Sequence, residues 1–263
     1  MSQQDTYQSL LELQAVSKRF GGLVAVENLS FAIPKGQIFS VIGPNGAGKS
    51  TVFNLITGIY KPSEGQVRFA NHSMGKLKPF QVTRTGIART FQNIRLFSNA
   101  TAWENVAVAQ NLRYPLRLFS TVFRTPGYRK QEKEILDKSR YWLEFVGLGD
   151  HWGTLACNLA YGQQRRLEIA RALATGPQLI LLDEPAAGMN PQETDSLMEL
   201  IQKIRAAGIT VLLIEHDMAL VMKISDRICV MNFGKKIAEG SPAEIRENPA
   251  VIEAYLGTED ETA

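Results

Sequence analysis

The chain has 263 residues, 44% hydrophobic and 21% charged, with a formal net charge of +3. That is ordinary for a globular protein with a sizeable core, and a charge so close to balance gives no ground for nucleic acid or an acidic membrane surface as partner. No apolar run approaches the ~18 residues a membrane span needs, and the polar start Met1-Ser2-Gln3-Gln4-Asp5-Thr6 lacks the apolar segment of a signal peptide. Work at a membrane would require something else to hold the chain there. The two cysteines, Cys157 and Cys229, have no metal-ligand spacing and are expected as inert packing residues of a reducing compartment.

Residues 9–34 alternate in the manner of strands: Leu11 and Leu13, then Leu29, Phe31 and Ile33, are separated by polar or small neighbours. Arg19-Phe20-Gly21-Gly22 is a turn between them. The pattern predicts a small antiparallel sheet, rejoined later by Gly65–Ala70. Phe20 is a candidate to stack on a nucleotide base; packing at the edge of the core is the alternative, and the sequence alone favours it.

The apolar run Gln37–Ile42 then leads into Gly43-Pro44-Asn45-Gly46-Ala47-Gly48-Lys49-Ser50-Thr51. This is a phosphate-binding P-loop of the form G-x-x-x-x-G-K-[ST], with the strand before it and the helix after it that the motif needs. Gly43, Gly46 and Gly48 allow the backbone angles that bring main-chain N–H groups close to phosphate, and the helix that follows turns its positive end to the same anion. Lys49 is expected to reach the β- and γ-phosphates, and the Ser50 hydroxyl to ligate Mg²⁺. A nucleoside triphosphate is the expected ligand.

Residues 79–92 lead to Arg89-Thr90-Phe91-Gln92-Asn93, after which the pattern turns helical. One helix is predicted from Ala102 to Leu112, with Thr101 as its cap. Another is predicted from Lys130 to Val146, with Ile135, Trp142, Leu143 and Val146 on its apolar side. The basic, aromatic stretch 113–128 between them is either a contact surface or a loosely ordered excursion. From Leu159 an α/β rhythm returns: a helix over 162–174, the run Leu179–Leu182 ending in Asp183-Glu184-Pro185, a helix over 192–207, and apolar runs at 211–214 and 228–231. Short apolar runs separated by helices argue a parallel sheet covered on both faces.

An apolar strand ending in Asp183-Glu184 puts two carboxylates at the ligand-binding edge of such a sheet. There Asp183 is expected to hold Mg²⁺ and Glu184 to act as base for the water that attacks the γ-phosphate. Upstream, Leu159-Ala160-Tyr161-Gly162-Gln163 opens a helix that runs on as Gln164-Arg165-Arg166-Leu167-Glu168-Ile169-Ala170-Arg171. Over residues 10–257 the chain is similar to the ATP-binding subunits of ABC transporters, and the variant signature and the tail Ile237–Gly257 resemble those of bacterial branched-chain amino-acid importers.

The resemblance implies an α/β fold: a P-loop NTPase core on a mostly parallel sheet (9–92 and 159–257), an N-terminal antiparallel β-subdomain, and a helical subdomain (93–158). It implies that Gln92 senses Mg²⁺ and the attacking water, and that His216 contacts the γ-phosphate. It further implies that Ala160, Tyr161, Gly162 and Gln163 face the ATP of an opposing subunit. Ala160 lacks the family's serine hydroxyl, Tyr161 replaces a glycine, and Asn190 stands where aspartate is usual. The expected assembly has two ATPases meeting head to tail, two transmembrane permease subunits and an extracytoplasmic amino-acid-binding protein. It sits peripherally on the cytoplasmic face of a bacterial inner membrane and engages no nucleic acid. The alternative, a soluble ABC ATPase acting on nucleic acid or ribosomes, predicts a second cassette, a coiled-coil insertion or a basic stripe. A regulatory GTPase would need an Asn-Lys-x-Asp motif.

Overall fold

The computed structural model describes residues 9–112 and 125–256. Most of the basic, aromatic stretch 113–128 lies outside them, as do the chain's last seven residues. Two sheets organise the rest. The first is antiparallel, with β1 (Ser9–Phe20) between β2 (Leu23–Pro34) and β4 (Glu64–Phe69), and β5 (His72–Ser73) at its edge. The predicted alternation is present, but both long strands are bent by bulges. Ala15 and Asn28 adopt left-handed backbone angles, and the register shifts between Leu13 and Val16. Gly65 is required at this point, because a Cβ there would lie 2.2 Å from the Ala15 carbonyl oxygen.

The second sheet has the order β10-β9-β3-β8-β7-β6. Its parallel strands are β3 (Ile38–Ile42), β6 (Ile87–Arg89), β7 (Leu179–Asp183), β8 (Thr210–Ile214) and β9 (Arg227–Asn232); only β10 (Lys235–Gly240) is antiparallel. All residues of β3, β7 and β8 are buried, as a sheet covered on both faces demands. Alternate side chains serve different cores. Phe39, Val41, Leu179, Leu181, Leu212 and Ile214 pack with α1 (Lys49–Ile56) and the antiparallel sheet. Their neighbours Ile38, Ile180, Leu182, Val211 and Leu213 pack with a helical layer. That layer contains α3 (Ala102–Ala109), α4 (Pro126–Phe145), α5 (Tyr161–Ala174) and α6 (Pro191–Ala206), α2 (Pro79–Thr85) being a short helix ahead of β6.

A third, smaller cluster joins Ile42, Val221, Ile228, Val230, Ile245 and Val251. It packs α7 (Met218–Ile224) and the last two helices, α8 (Pro242–Arg246) and α9 (Pro249–Leu256), against the end of β3.

Thr101 caps α3 as expected: its hydroxyl accepts from Glu104 N while Glu104 accepts from Thr101 N. The helix α4 starts four residues before its predicted beginning. Pro126-Gly127 has the look of a turn, yet Thr125 accepts from Tyr128 N and proline occupies the first helical position, where its missing N–H costs nothing. Among the described residues, no helix is long and apolar enough to cross a membrane.

The cysteines divide. Cys229 is buried in β9, and burial pushes its thiol up to about 12. Cys157 corrects the expectation of a packing residue: it lies exposed on the short turn Ala156–Asn158, its Sγ donating to Asn158 Oδ1 at 3.5 Å. A maleimide at neutral pH is therefore expected to modify the native protein at Cys157 alone and to reach Cys229 after denaturation. Mass spectrometry of the labelled peptides checks this.

Candidate functional site

The P-loop leaves β3 at Ile42 and turns into α1 through three glycines with positive φ, +151° at Gly43, +78° at Gly46 and +97° at Gly48. Two of them are also sterically required. A Cβ on Gly43 would sit 2.0 Å from the Met231 carbonyl oxygen, and one on Gly48 would sit 2.5 Å from that of Ala25. The loop is thus wedged between β2 and β9. Gly234, in the turn after β9, donates to the Ala47 carbonyl and accepts from Glu27 N. At the centre of the loop the Lys49 ammonium donates to the carbonyls of Gly43 and Pro44 at 2.6 and 2.9 Å. Burial pulls its pKa down, against the opposing charges of Glu184 and Asp183.

Above the loop lies a cavity of about 460 Å³ lined by Asn45–Thr51, by Glu184, and by Phe20 and Phe233 among others. Its size suits a nucleotide-scale ligand. Phe20 is 40% exposed and edge-on to Tyr60, with ring centroids 5.0 Å apart. The structure puts it on the wall of this cavity and, through Tyr60, at the edge of the core.

Three of the predicted polar residues meet at one carboxylate. Glu184 follows β7 and adopts φ +45°, an uncommon angle for a side-chain-bearing residue, with its N–H donating to the Ile214 carbonyl. Its Oε2 accepts from Gln92 Nε2 at 2.8 Å, and His216 Nδ1 stands 3.9 Å from the same oxygen. The imidazole is 65% exposed and the carboxylate 23%; of the three, Glu184 lines the cavity, and Gln92 and His216 reach it only through that carboxylate. Ser50 is exposed on the first turn of α1. Asp183, one residue before Glu184, is turned inward and ion-paired at 2.8 Å with Arg89.

The signature residues lie elsewhere: none of Ala160, Tyr161, Gly162 or Gln163 lines the P-loop cavity. Ala160 precedes α5 and provides no side-chain cap, which leaves donors of the first turn without a local acceptor. Gln163 folds back to accept from Ala160 N and meets His151 with its amide nitrogen. Gly162 is packed so closely that a Cβ would lie 2.9 Å from Glu193 Oε1. Tyr161 donates its hydroxyl to the Ala187 carbonyl at 2.9 Å, joining the signature to the segment that follows Glu184. Asn190 caps α6 by accepting from Glu193 N.

Several participants were not assigned from the sequence. Arg165 is fully buried in α5 and donates to the carbonyls of Phe91 and Gln92 at 2.6 and 2.7 Å and to Glu168 Oε2 at 2.8 Å. Glu168 in turn accepts from the backbone N–H groups of Phe91 and Arg95. Burial raises its pKa, and Arg165 and those N–H groups draw it back. The backbone carrying Gln92 is therefore gripped by the signature helix. Glu215 is wholly buried, its Oε2 3.8 Å from His216 Nδ1; burial raises its pKa, while the N–H groups of Ala186 and His216 hydrogen-bond it and oppose the rise.

A family model described as ABC transporter matches residues 26–187, and a second, described as branched-chain amino acid ATP-binding cassette transporter, matches residues 235–261. The high-affinity branched-chain amino acid transport ATP-binding protein LivG of Salmonella typhimurium is 51% identical, covering 95% of this chain and 98% of its own. Among solved structures, the ADP conformation of MJ1267, an ATP-binding cassette of an ABC transporter, superposes with a TM-score of 0.82 at 34% identity, covering 95% of this chain and 99% of its own. A dimeric post-hydrolysis state of the ATP-binding cassette MJ0796, bound to ADP and Pi, gives 0.74 at 28% identity and covers 88% and 98%.

Proposed function

The chain belongs to the ABC transporter family as an ATPase, and from that premise we propose that it powers a bacterial importer of branched-chain amino acids. The observation that carries the catalytic part is that Gln92 and His216 converge on Glu184, which lines the P-loop cavity. Backbone N–H groups of the loop and the Lys49 ammonium bind the phosphates, and Phe20 stacks on the base. Lys49 exchanges its present carbonyl partners for phosphate oxygens. Gln92 occupies Glu184 Oε2, which leaves Oε1 as the atom that takes the proton of the attacking water. His216 holds the γ-phosphate side of the same water.

The divalent cation has a fitting but incomplete set of ligands. Ser50 and Asp183 offer the hard oxygen donors that Mg²⁺ prefers, and Gln92 is near the same edge. Among the described residues, no group of three or more His, Cys, Asp or Glu side chains is arranged to hold a metal. Ser50, Asp183 and Gln92 would hold Mg²⁺ on the phosphates of a bound nucleotide, where it would supply positive charge.

A second ATPase completes the site by presenting its signature. The open first-turn donors of α5 take the role of the missing serine hydroxyl toward the opposing γ-phosphate. The partners are two transmembrane permeases and an extracytoplasmic binding protein, with this chain on the cytoplasmic face of the inner membrane. A groove of about 340 Å³ beside Gln92, with exposed Ile59, Phe97 and Val108 on its wall, is the docking surface for the permeases.

The test is purification from native membranes followed by reconstitution with amino acids in the assay. Recovery with two membrane proteins and a second ATPase, with hydrolysis stimulated by leucine-like substrates, is the expected result. Stimulation by an unrelated solute would remove the substrate assignment, and recovery with ribosomes or DNA alone would remove the importer.

A further inference from the structure

Arg89 ends β6 beside the carboxyl end of β7 and carries its charge into the protein. Its side chain is 9% exposed and that of its partner Asp183 is 8% exposed. Nη2 donates to Asp183 Oδ2 at 2.8 Å. Nη1 donates to Asn54 Oδ1 at 2.7 Å and lies 3.4 Å from Thr57 Oγ1, both at the far end of the helix that the P-loop opens. The rings of Phe53 and Phe91 lie 5.4 and 5.0 Å from the guanidinium carbon. The planar fork is therefore fixed by the P-loop helix and by two rings as well as by the carboxylate.

We propose that Arg89 is a positioning residue that acts as the resident counter-cation of Asp183 and competes with the divalent cation for its charge. A carboxylate buried this deeply needs a compensating charge at all times. A nucleotide-bound cation brings a second one, and two cations near one carboxylate repel each other. Arg89 is anchored by Asn54 and Thr57, so it does not swing clear of that repulsion. It keeps Asp183 folded and aligned before the cation arrives, and it holds the cation's affinity low enough for release with the product. This inference rests on the reading of Asp183 as the cation's residue.

The experiment measures Mn²⁺ binding to the ADP-loaded protein by electron paramagnetic resonance. In Arg89→Gln the half-saturating Mn²⁺ concentration is expected to fall by about fivefold. In Arg89→Lys, which keeps the charge, it should stay within about twofold of the unsubstituted protein. In Asp183→Asn it should rise by about tenfold or more. Unchanged or weaker Mn²⁺ binding in Arg89→Gln, with Asp183→Asn weakened, overturns the inference and leaves the cation site standing. Unchanged binding in Asp183→Asn removes the cation reading and the inference with it. If Arg89→Gln does not fold, the exchange is read on the unsubstituted chain by NMR. The Arg89 Nη protons, assigned by their loss in Arg89→Lys, should rotate faster when Mg²⁺ is added to the ADP complex; unaltered rotation overturns the proposal.

Discussion

Glu184→Gln is expected to bind ATP as the unsubstituted chain does and to hydrolyse it about 10²–10⁴-fold more slowly, the range a positioned general base supplies. The substitution is nearly isosteric. The glutamine oxygen still accepts from Gln92 Nε2, and the loop donors that hold the phosphates are untouched. Only the ability to take a proton is lost. The backbone makes the comparison clean, because glutamine inherits the same φ of +45° and adds no new strain. Fluorescent-nucleotide titration and phosphate release, measured side by side, give the two numbers. Hydrolysis close to the unsubstituted rate would assign the base to another group.

Arg165→Met is expected to lose about 3–5 kcal/mol of folding stability, the usual cost of breaking a buried ion pair from one side. It leaves Glu168 charged in the interior and deprives the Phe91 and Gln92 carbonyls of their donors. The loss should depend on pH, and the sign follows from Glu168. Burial already raises its pKa and Arg165 draws it back, so the variant raises it further. A carboxyl with a raised folded-state pKa binds its proton more tightly in the folded than in the unfolded chain. Stability therefore falls as pH rises through the interval between the unfolded and folded values. Urea denaturation followed by tryptophan fluorescence should show the variant closer to the unsubstituted protein at pH 5 than at pH 8. Arg165→Met combined with Glu168→Leu should recover part of the loss. A pH-independent difference would mean that the carbonyl contacts, not the charge, carry the cost.

Much of the site was legible because its parts are local. A glycine loop between an apolar strand and a helix is a contiguous signal, and so is a buried strand that ends in two carboxylates. The Thr101 cap and the short apolar runs are of the same kind. What escaped depends on residues that meet only after folding. Arg89, Arg165, Glu168 and Glu215 are charged side chains, and such residues ordinarily remain in water; their burial is visible only once Asp183, the Gln92 backbone and the Ala186 N–H are brought alongside. The place of Phe20 on the cavity wall is hidden for a similar reason, since that wall is built from segments distant in sequence. The left-handed backbone at Glu184 carries no compositional mark, because glycine, the usual sign of such an angle, is absent there.

The period-two division of the central strands bears on how inherited variation in this chain should be interpreted. In β7 and β8 the side chains of Leu179, Leu181, Leu212 and Ile214 face the helix that begins at the P-loop, and those of Ile180, Leu182, Val211 and Leu213 face the layer that carries the signature. A one-methylene trim at Leu181 and the same trim at Leu182 remove similar volumes from adjacent positions, yet they loosen opposite halves of the machine. Parity along the strand thus sorts core variants by phenotype: one class disturbs the subunit's hold on its own nucleotide, the other its presentation to the neighbour's.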